Sequence, residues 1–132
     1  MILPINIPKN SQLISIGKNA FSQTLNADIY LPKSLEEFSG KSFVNVPLDD
    51  ISISKKNPNL SIIHENMVGK KSDVTLSLPD ILLFGYSSIQ TANIPATIKE
   101  IAPYAFYYCY DLSTVIFAKN SQLESIGKNA FV

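Results

Sequence analysis

The residue types that could do chemistry are scarce in this chain, and their spacing does not bring them together. Cys109 is the single cysteine and His64 the single histidine. A cysteine nucleophile needs a basic neighbour to hold it as thiolate, and nothing near Cys109 suggests one. One His and one Cys cannot complete the usual four-ligand zinc site. Asp49-Asp50 could hint at metal or acid–base work, but adjacent strand residues point to opposite faces, so a solvated pair is expected. Asn59-Leu60-Ser61 matches a glycosylation sequon, yet with eleven Asn among many Ser and Thr such a match is ordinary. The chain has no glycine-rich phosphate loop. The expectation is therefore no catalytic residue, no metal site and no cofactor. Cys109, three positions after Phe106, reads as a buried structural thiol, and Ile63-His64-Glu65-Asn66 as a hairpin turn.

The elements that would position any functional surface are repeats. Residues 7–22 (IPKNSQLISIGKNAFS) return 110 positions later as residues 117–132 (FAKNSQLESIGKNAFV), identical at twelve positions. The unit reduces to Leu-x-x-Ile-Gly-x-x-Ala-Phe: Leu13, Ile16, Ala20, Phe21 first and Leu123, Ile126, Ala130, Phe131 last. Further copies are Ile98, Ile101, Ala105, Phe106, then Leu35, Phe38, Ser42, Phe43, and a less regular set at Leu60, Ile63, Met67, Val68. A spacing of 22 to 25 residues falls in the range of solenoids, where no unit buries its apolar face alone.

Between these blocks run short alternating stretches, Ile29-x-Leu31, Ile51-x-Ile53, Ala92-x-Ile94 and Val115-x-Phe117, whose paired residues share one strand face. Proline ends several of them, at Leu31-Pro32, Leu78-Pro79 and Ile94-Pro95, because it has no N–H for the ladder. Residues 97–106 carry apolar positions at helical spacing. Gly17 and Gly127 in the sister blocks favour a short turn or 3₁₀ piece over a long helix.

The run from Ile94-Pro95 through Ile98, Ile101, Ala105-Phe106, Cys109 and Leu112 to Phe117 resembles the repeat of BspA-type leucine-rich-repeat proteins. Residues 57–76 (NPNLSIIHENMVGKKSDVTL) are similar to a strand–turn–strand insert of that family, opened by Asn-Pro-Asn. Three features depart from the pattern: Ala102-Pro103 in place of Ile-Gly, Ser42-Phe43 in place of Ala-Phe, and a Cys kept in one copy only. Residues 78–88 (LPDILLFGYSS) fit no register, so an irregular middle is expected. The resemblance implies a cell-surface or extracellular module that binds a host or matrix protein.

The expected fold is an α+β repeat solenoid: a leucine-rich-repeat coil of short strands with turn, 3₁₀ or short helical segments and one irregular, hairpin-bearing repeat. The expected repeats are 1–24, 25–47, 48–88, 89–111 and 112–132 of a single domain, read as a fragment of a longer array because residues 131–132 stop on a core position. A hydrophobic content of 45 % is enough for a continuous core. Eleven acids balance eleven bases, and every base is Lys. Without the bidentate fork of Arg, nucleic acid is an unfavoured partner. The lysines look scattered, with doublets only at Lys55-Lys56 and Lys70-Lys71, and read as solvated loop charge. No segment has the apolar length for membrane insertion, and residues 1–10 do not read as a signal peptide.

The expected core joins Ala92, Ile94, Ile51, Ile53, Val115 and Phe117 to Ile16, Phe21, Ile101, Phe106, Ile126 and Phe131. The outward strand positions then form the candidate protein-binding face: Tyr30, Ser52, Asn93 and Ile116, flanked by Asp28, Asp50, Thr91 and Thr114. The function expected is a non-catalytic protein-binding module that recognises its ligand through this face. The alternative is an intracellular (cytoplasmic) scaffold or spacer, which a cysteine without a disulfide partner would suit.

Overall fold

The computed structural model describes residues 6–18, 20, 28–38, 42, 50–107 and 109–131. Its coils carry up to two short strands each, and the first two coils also meet at an isolated parallel bridge, Ser15 with Glu37. The first strands are β1 (Asp28–Leu31), β2 (Asp50–Ile53), β6 (Thr91–Ile94) and β8 (Thr114–Phe117). The second strands are β5 (Ile81–Gly85), β7 (Glu100–Ile101) and β9 (Ser125–Ile126). Between β2 and β5 the chain inserts a hairpin, β3 (Leu60–Ile63) and β4 (Met67–Lys70). Equivalent strands of successive coils pair in parallel: β1 with β2, β6 with β8, and β5 with β7 with β9.

The alternation read from sequence sets which side of the first strands faces inward. Ile29, Leu31, Ile51, Ala92 and Ile94 are buried, while Ser52, Asn93 and Ile116 between them are exposed. A turn recurs at the same place after each of these first strands and again at the start of the described chain, with amides of Leu35, Asn57, Ile98, Ser121 and Ser11 donating to the carbonyls of Pro32, Ser54, Pro95, Ala118 and Pro8.

The helical segments of the expected α+β class are not found: among the described residues the Ala-Phe blocks are turns. Ala20, Ala105 and Ala130 each donate a backbone N–H to the carbonyl three residues earlier. The residue preceding the Ala is left-handed, with φ of 62° at Tyr104 and 57° at Asn129. A left-handed residue cannot propagate a right-handed helix, so the block stops after one turn.

The hairpin is part of the second sheet rather than an excursion from it. That sheet runs β3-β4-β5-β7-β9, antiparallel across the hairpin and parallel beyond it. Leu60, Ile63, Met67 and Val68, expected as a repeat block, are instead the buried hairpin residues. Residues 78–88, which fitted no register, supply β5 with Leu82, Leu83 and Phe84 all buried. A strand buried on both faces reads as a continuous apolar run, which is why alternation missed it.

Two clusters make the core. One holds Ile16, Ile29, Leu31, Leu35, Phe38 and Ile51, and the other Ala92, Ile94, Ile98, Ile101, Ala105 and Phe106. The hairpin joins both: Leu60 and Val68 pack in the first, Ile63 and Met67 in the second. Several expected core residues fall outside them. Phe117 (43 %), Ile126 (52 %) and Phe131 (42 %) are exposed, and Ile53 and Val115 are half-buried. The first three lie in the last coil, whose strands β8 and β9 are at sheet edges, so no later coil among the described residues covers them. Phe21 lies outside the described residues.

Candidate functional site on the strand faces and the hairpin

The parallel ladders align the candidate face in the expected register. Asp28 stands opposite Asp50 and Tyr30 opposite Ser52; Thr91 stands opposite Thr114 and Asn93 opposite Ile116. These pairs do not form one row. β1-β2 and β6-β8 are separate two-stranded sheets, because residues 57–80 leave the coil path between them to build the hairpin. Tyr30 therefore belongs to one patch and Ile116, 48 % exposed, to another.

Around Tyr30 the repeat gathers charge that looked scattered in the sequence. Lys9, Lys33, Lys55 and Lys56 line one cleft with Tyr30, Asn10 and Ser54. The cause is the coil period: these lysines all follow the turn-opening residues Pro8, Pro32 and Ser54, so stacking coils brings their positions to one cleft. A cluster of like charges is mutually repulsive and favours an anionic ligand. The four lysines are exposed, as expected of solvated loop charge; what the sequence did not show is that they share one cleft.

The hairpin turn is where His64 was expected. The amide of Asn66 donates to the Ile63 carbonyl at 3.3 Å, and both central residues are left-handed, His64 at φ 50° and Glu65 at φ 66°. That is a type I′ turn, the type whose twist suits a hairpin. Both side chains are exposed.

Asn57 anchors the insert, a role its Asn-Pro-Asn setting hints at without specifying. Its Nδ2 donates to the carbonyls of Pro32 (2.9 Å) and Leu35 (3.0 Å), and its Oδ1 accepts from the amides of Asn59 and Leu60, both at 2.8 Å. One side chain thus satisfies two turn carbonyls of the preceding coil and starts β3. Tyr86, also unremarked in the sequence, is buried and donates its hydroxyl to the Ile51 carbonyl at 3.3 Å.

The residues weighed for chemistry lie apart. Cys109 is half-buried rather than buried, and its Sγ reaches the carbonyls of Tyr86 (3.4 Å) and Gly85 (3.7 Å) in the coil before it. Among the described residues no three His, Cys, Asp or Glu side chains converge as metal ligands. Asp49 lies outside those residues. No helix among them is long and apolar enough to cross a membrane.

Parallel strand stacking with a fixed turn per coil defines a leucine-rich-repeat solenoid. The chain belongs to the BspA-type leucine-rich-repeat family: the model of the BspA type leucine rich repeat region (6 copies) matches residues 2–81 and 75–132. No curated protein matches. The fold is similar to the crystal structure of the pneumococcal vaccine antigen PcpA, with a TM-score of 0.73 and 22 % identity. That match covers 95 % of this chain but only 30 % of the PcpA chain.

Proposed function

We propose that this chain is a non-catalytic protein-binding module whose ligand presents an acidic surface to the cleft around Tyr30. The observation that supports this reading is the convergence of Lys9, Lys33, Lys55 and Lys56 on a half-buried tyrosine in a chain with no net charge. Tyrosine anchors interfaces well, because its ring buries a large area while its hydroxyl stays paired. The exposed Ser52, opposite Tyr30 in the ladder, extends the contact onto β2. Asn93, Ile116, Thr91 and Thr114 on β6 and β8 offer a second, uncharged contact. An adhesion role at a cell surface, towards a host or matrix protein, suits the family and the likeness to a vaccine antigen.

Binding is tested by capture of partners from candidate host or matrix preparations, followed by titration at rising salt. Tyr30→Ala is expected to weaken binding about tenfold or more, as for a central interface tyrosine. Lys33→Glu with Lys55→Glu is expected to weaken it further and flatten its salt dependence. The fold should tolerate these exposed lysine changes, so the melting temperature stays near that of the parent. Unchanged affinity in these variants, with loss on changing His64 and Glu65, would move the site to the hairpin.

A further inference from the structure

The cleft around Tyr30 crosses several coils, and its lining selects among anionic ligands. Lys9, Lys33 and Lys55 take the same place after the turn-opening residues Pro8, Pro32 and Ser54 of three successive coils. Coils paired in parallel stack about 4.8 Å apart, so these three backbone positions span about 10 Å, at right angles to the strands. The three turns are stitched to one another. The Ser34 hydroxyl lies 3.0 and 2.6 Å from the carbonyls of Ser11 and Leu13 in the coil before it. Asn57 Nδ2 donates to the carbonyls of Pro32 and Leu35 at 2.9 and 3.0 Å. The backbone that carries the lysines is therefore fixed before a ligand arrives, which lowers the ordering cost of binding.

The lining differs from the centre of a protein–protein contact, which is apolar and depleted of charge. Beside the four exposed lysines stand Asn10, Ser54 and the half-buried ring of Tyr30. No Leu, Ile, Val or Phe lines the cleft among the described residues. Its volume of about 410 Å³ is that of a ligand pocket. Amide and hydroxyl groups hydrogen-bond the hydroxyls of a sugar, and a tyrosine ring offers a flat face to the C–H side of a pyranose. Every base of the chain is Lys. An ammonium is a compact charge with three rotatable donors, which suits tetrahedral sulfate and lacks the planar fork that Arg brings to a carboxylate.

We propose that this cleft binds a sulfated polysaccharide, laid across the coils with its sulfates on the lysines and one sugar ring on Tyr30. The proposal rests on the reading of this cleft as the ligand site and names the acidic ligand: the glycan chain of a proteoglycan. A linear polymer with an anion on each repeat engages the lysines of three coils at once. A single anion gains nothing from that row, because the second and third contacts are favourable only when they are tethered to the first.

Isothermal titration of the 132-residue chain with a heparin-derived octasaccharide tests this. The comparison probes are a hyaluronan octasaccharide, which carries carboxylates but no sulfate, and poly-glutamate of the same charge as the heparin fragment. The sulfated probe is expected to bind about tenfold or more tightly than either, and to lose about tenfold between ~0.1 M and ~0.5 M salt. Lys33→Gln with Lys55→Gln should weaken its binding about tenfold or more at an unchanged melting temperature. Lys119→Gln with Lys128→Gln, an equal charge loss at exposed lysines outside the cleft, should leave binding as it was. Poly-glutamate or hyaluronan bound as tightly as the sulfated probe overturns the sulfated glycan and leaves the cleft standing as an acidic-ligand site. Binding of none of the probes overturns both readings. Equal losses in the two lysine pairs would show attraction to net charge alone, which also overturns the proposal.

Discussion

Phe106 and Phe131 occupy the same place in successive coils, yet truncating them should cost very different amounts. Phe106 is 2 % exposed, stacks on Phe131 with ring centroids 5.1 Å apart at 8°, and lies so close to Gly85 that an added Cβ would sit 2.5 Å from its ring. Phe106→Ala leaves a cavity enclosed by the coils on both sides, for which buried Phe truncations cost about 3–5 kcal/mol. Phe131 is 42 % exposed, so just over half of the roughly 1.5–3 kcal/mol transfer energy of a Phe is at stake. No enclosed cavity forms there, giving about 1–1.5 kcal/mol. At roughly 4 °C per kcal/mol for a chain of this size, Phe106→Ala should lower the melting temperature by about 12–20 °C and Phe131→Ala by about 5 °C. Urea denaturation of both single variants and the double variant, at concentrations where the chain is monomeric, measures these costs. The double-mutant cycle should show about 0.5–1.5 kcal/mol of coupling from the stacked rings. Equal costs for the two positions, or a Phe106→Ala cost below about 1 kcal/mol, would refute the view that a coil residue is stabilised by the coil stacked over it.

Gly127→Ala should destabilise by about 1–3 kcal/mol because its Cβ is forced onto the Pro103 backbone, while Gly17→Ala stays within about 0.5 kcal/mol of the parent; thermal melts giving the same loss for both would contradict the packing. Asn57→Ala removes four hydrogen bonds and leaves the Leu35 carbonyl without its donor, while the Pro32 carbonyl keeps the Leu35 amide, so about 2–4 kcal/mol should be lost, with hydrogen exchange speeding first in β3. A loss below about 1 kcal/mol would mean that the insert is held elsewhere. The exposed Asp73 carboxylate accepts the Thr75 amide and, secondarily, the Thr75 hydroxyl, both at 2.9 Å, which holds its pKa below the ordinary 3.8. Its small stabilisation is present above the ordinary value and fades as pH falls through the lowered one. NMR titration should show the lowered value, and Thr75→Val should raise it part of the way; no change in Thr75→Val would leave the hydroxyl without a role.

The coil itself was legible in the residues. Ile29, Leu31, Ile51, Ala92 and Ile94 face inward because a strand alternates its side chains whatever lies around it, and the parallel register follows from the spacing of the repeats. The hairpin and its His64 turn were legible too, from a motif. What the sequence could not decide was contact between elements. The same twelve residues bury Ile16 and expose Ile126, because burial belongs to the neighbouring coil and not to the residue. The Ala-Phe blocks have helical spacing, but a left-handed residue at Tyr104 and Asn129, held by bonds to adjacent coils, ends each after one turn. Residues 81–85 became a strand because the hairpin gave them partners on one side and β7 on the other. Tyr30 and Ile116 were parted, and lysines from three coils gathered, by the path the chain takes through space. Local spacing fixes which way a side chain points; only stacking fixes what it meets.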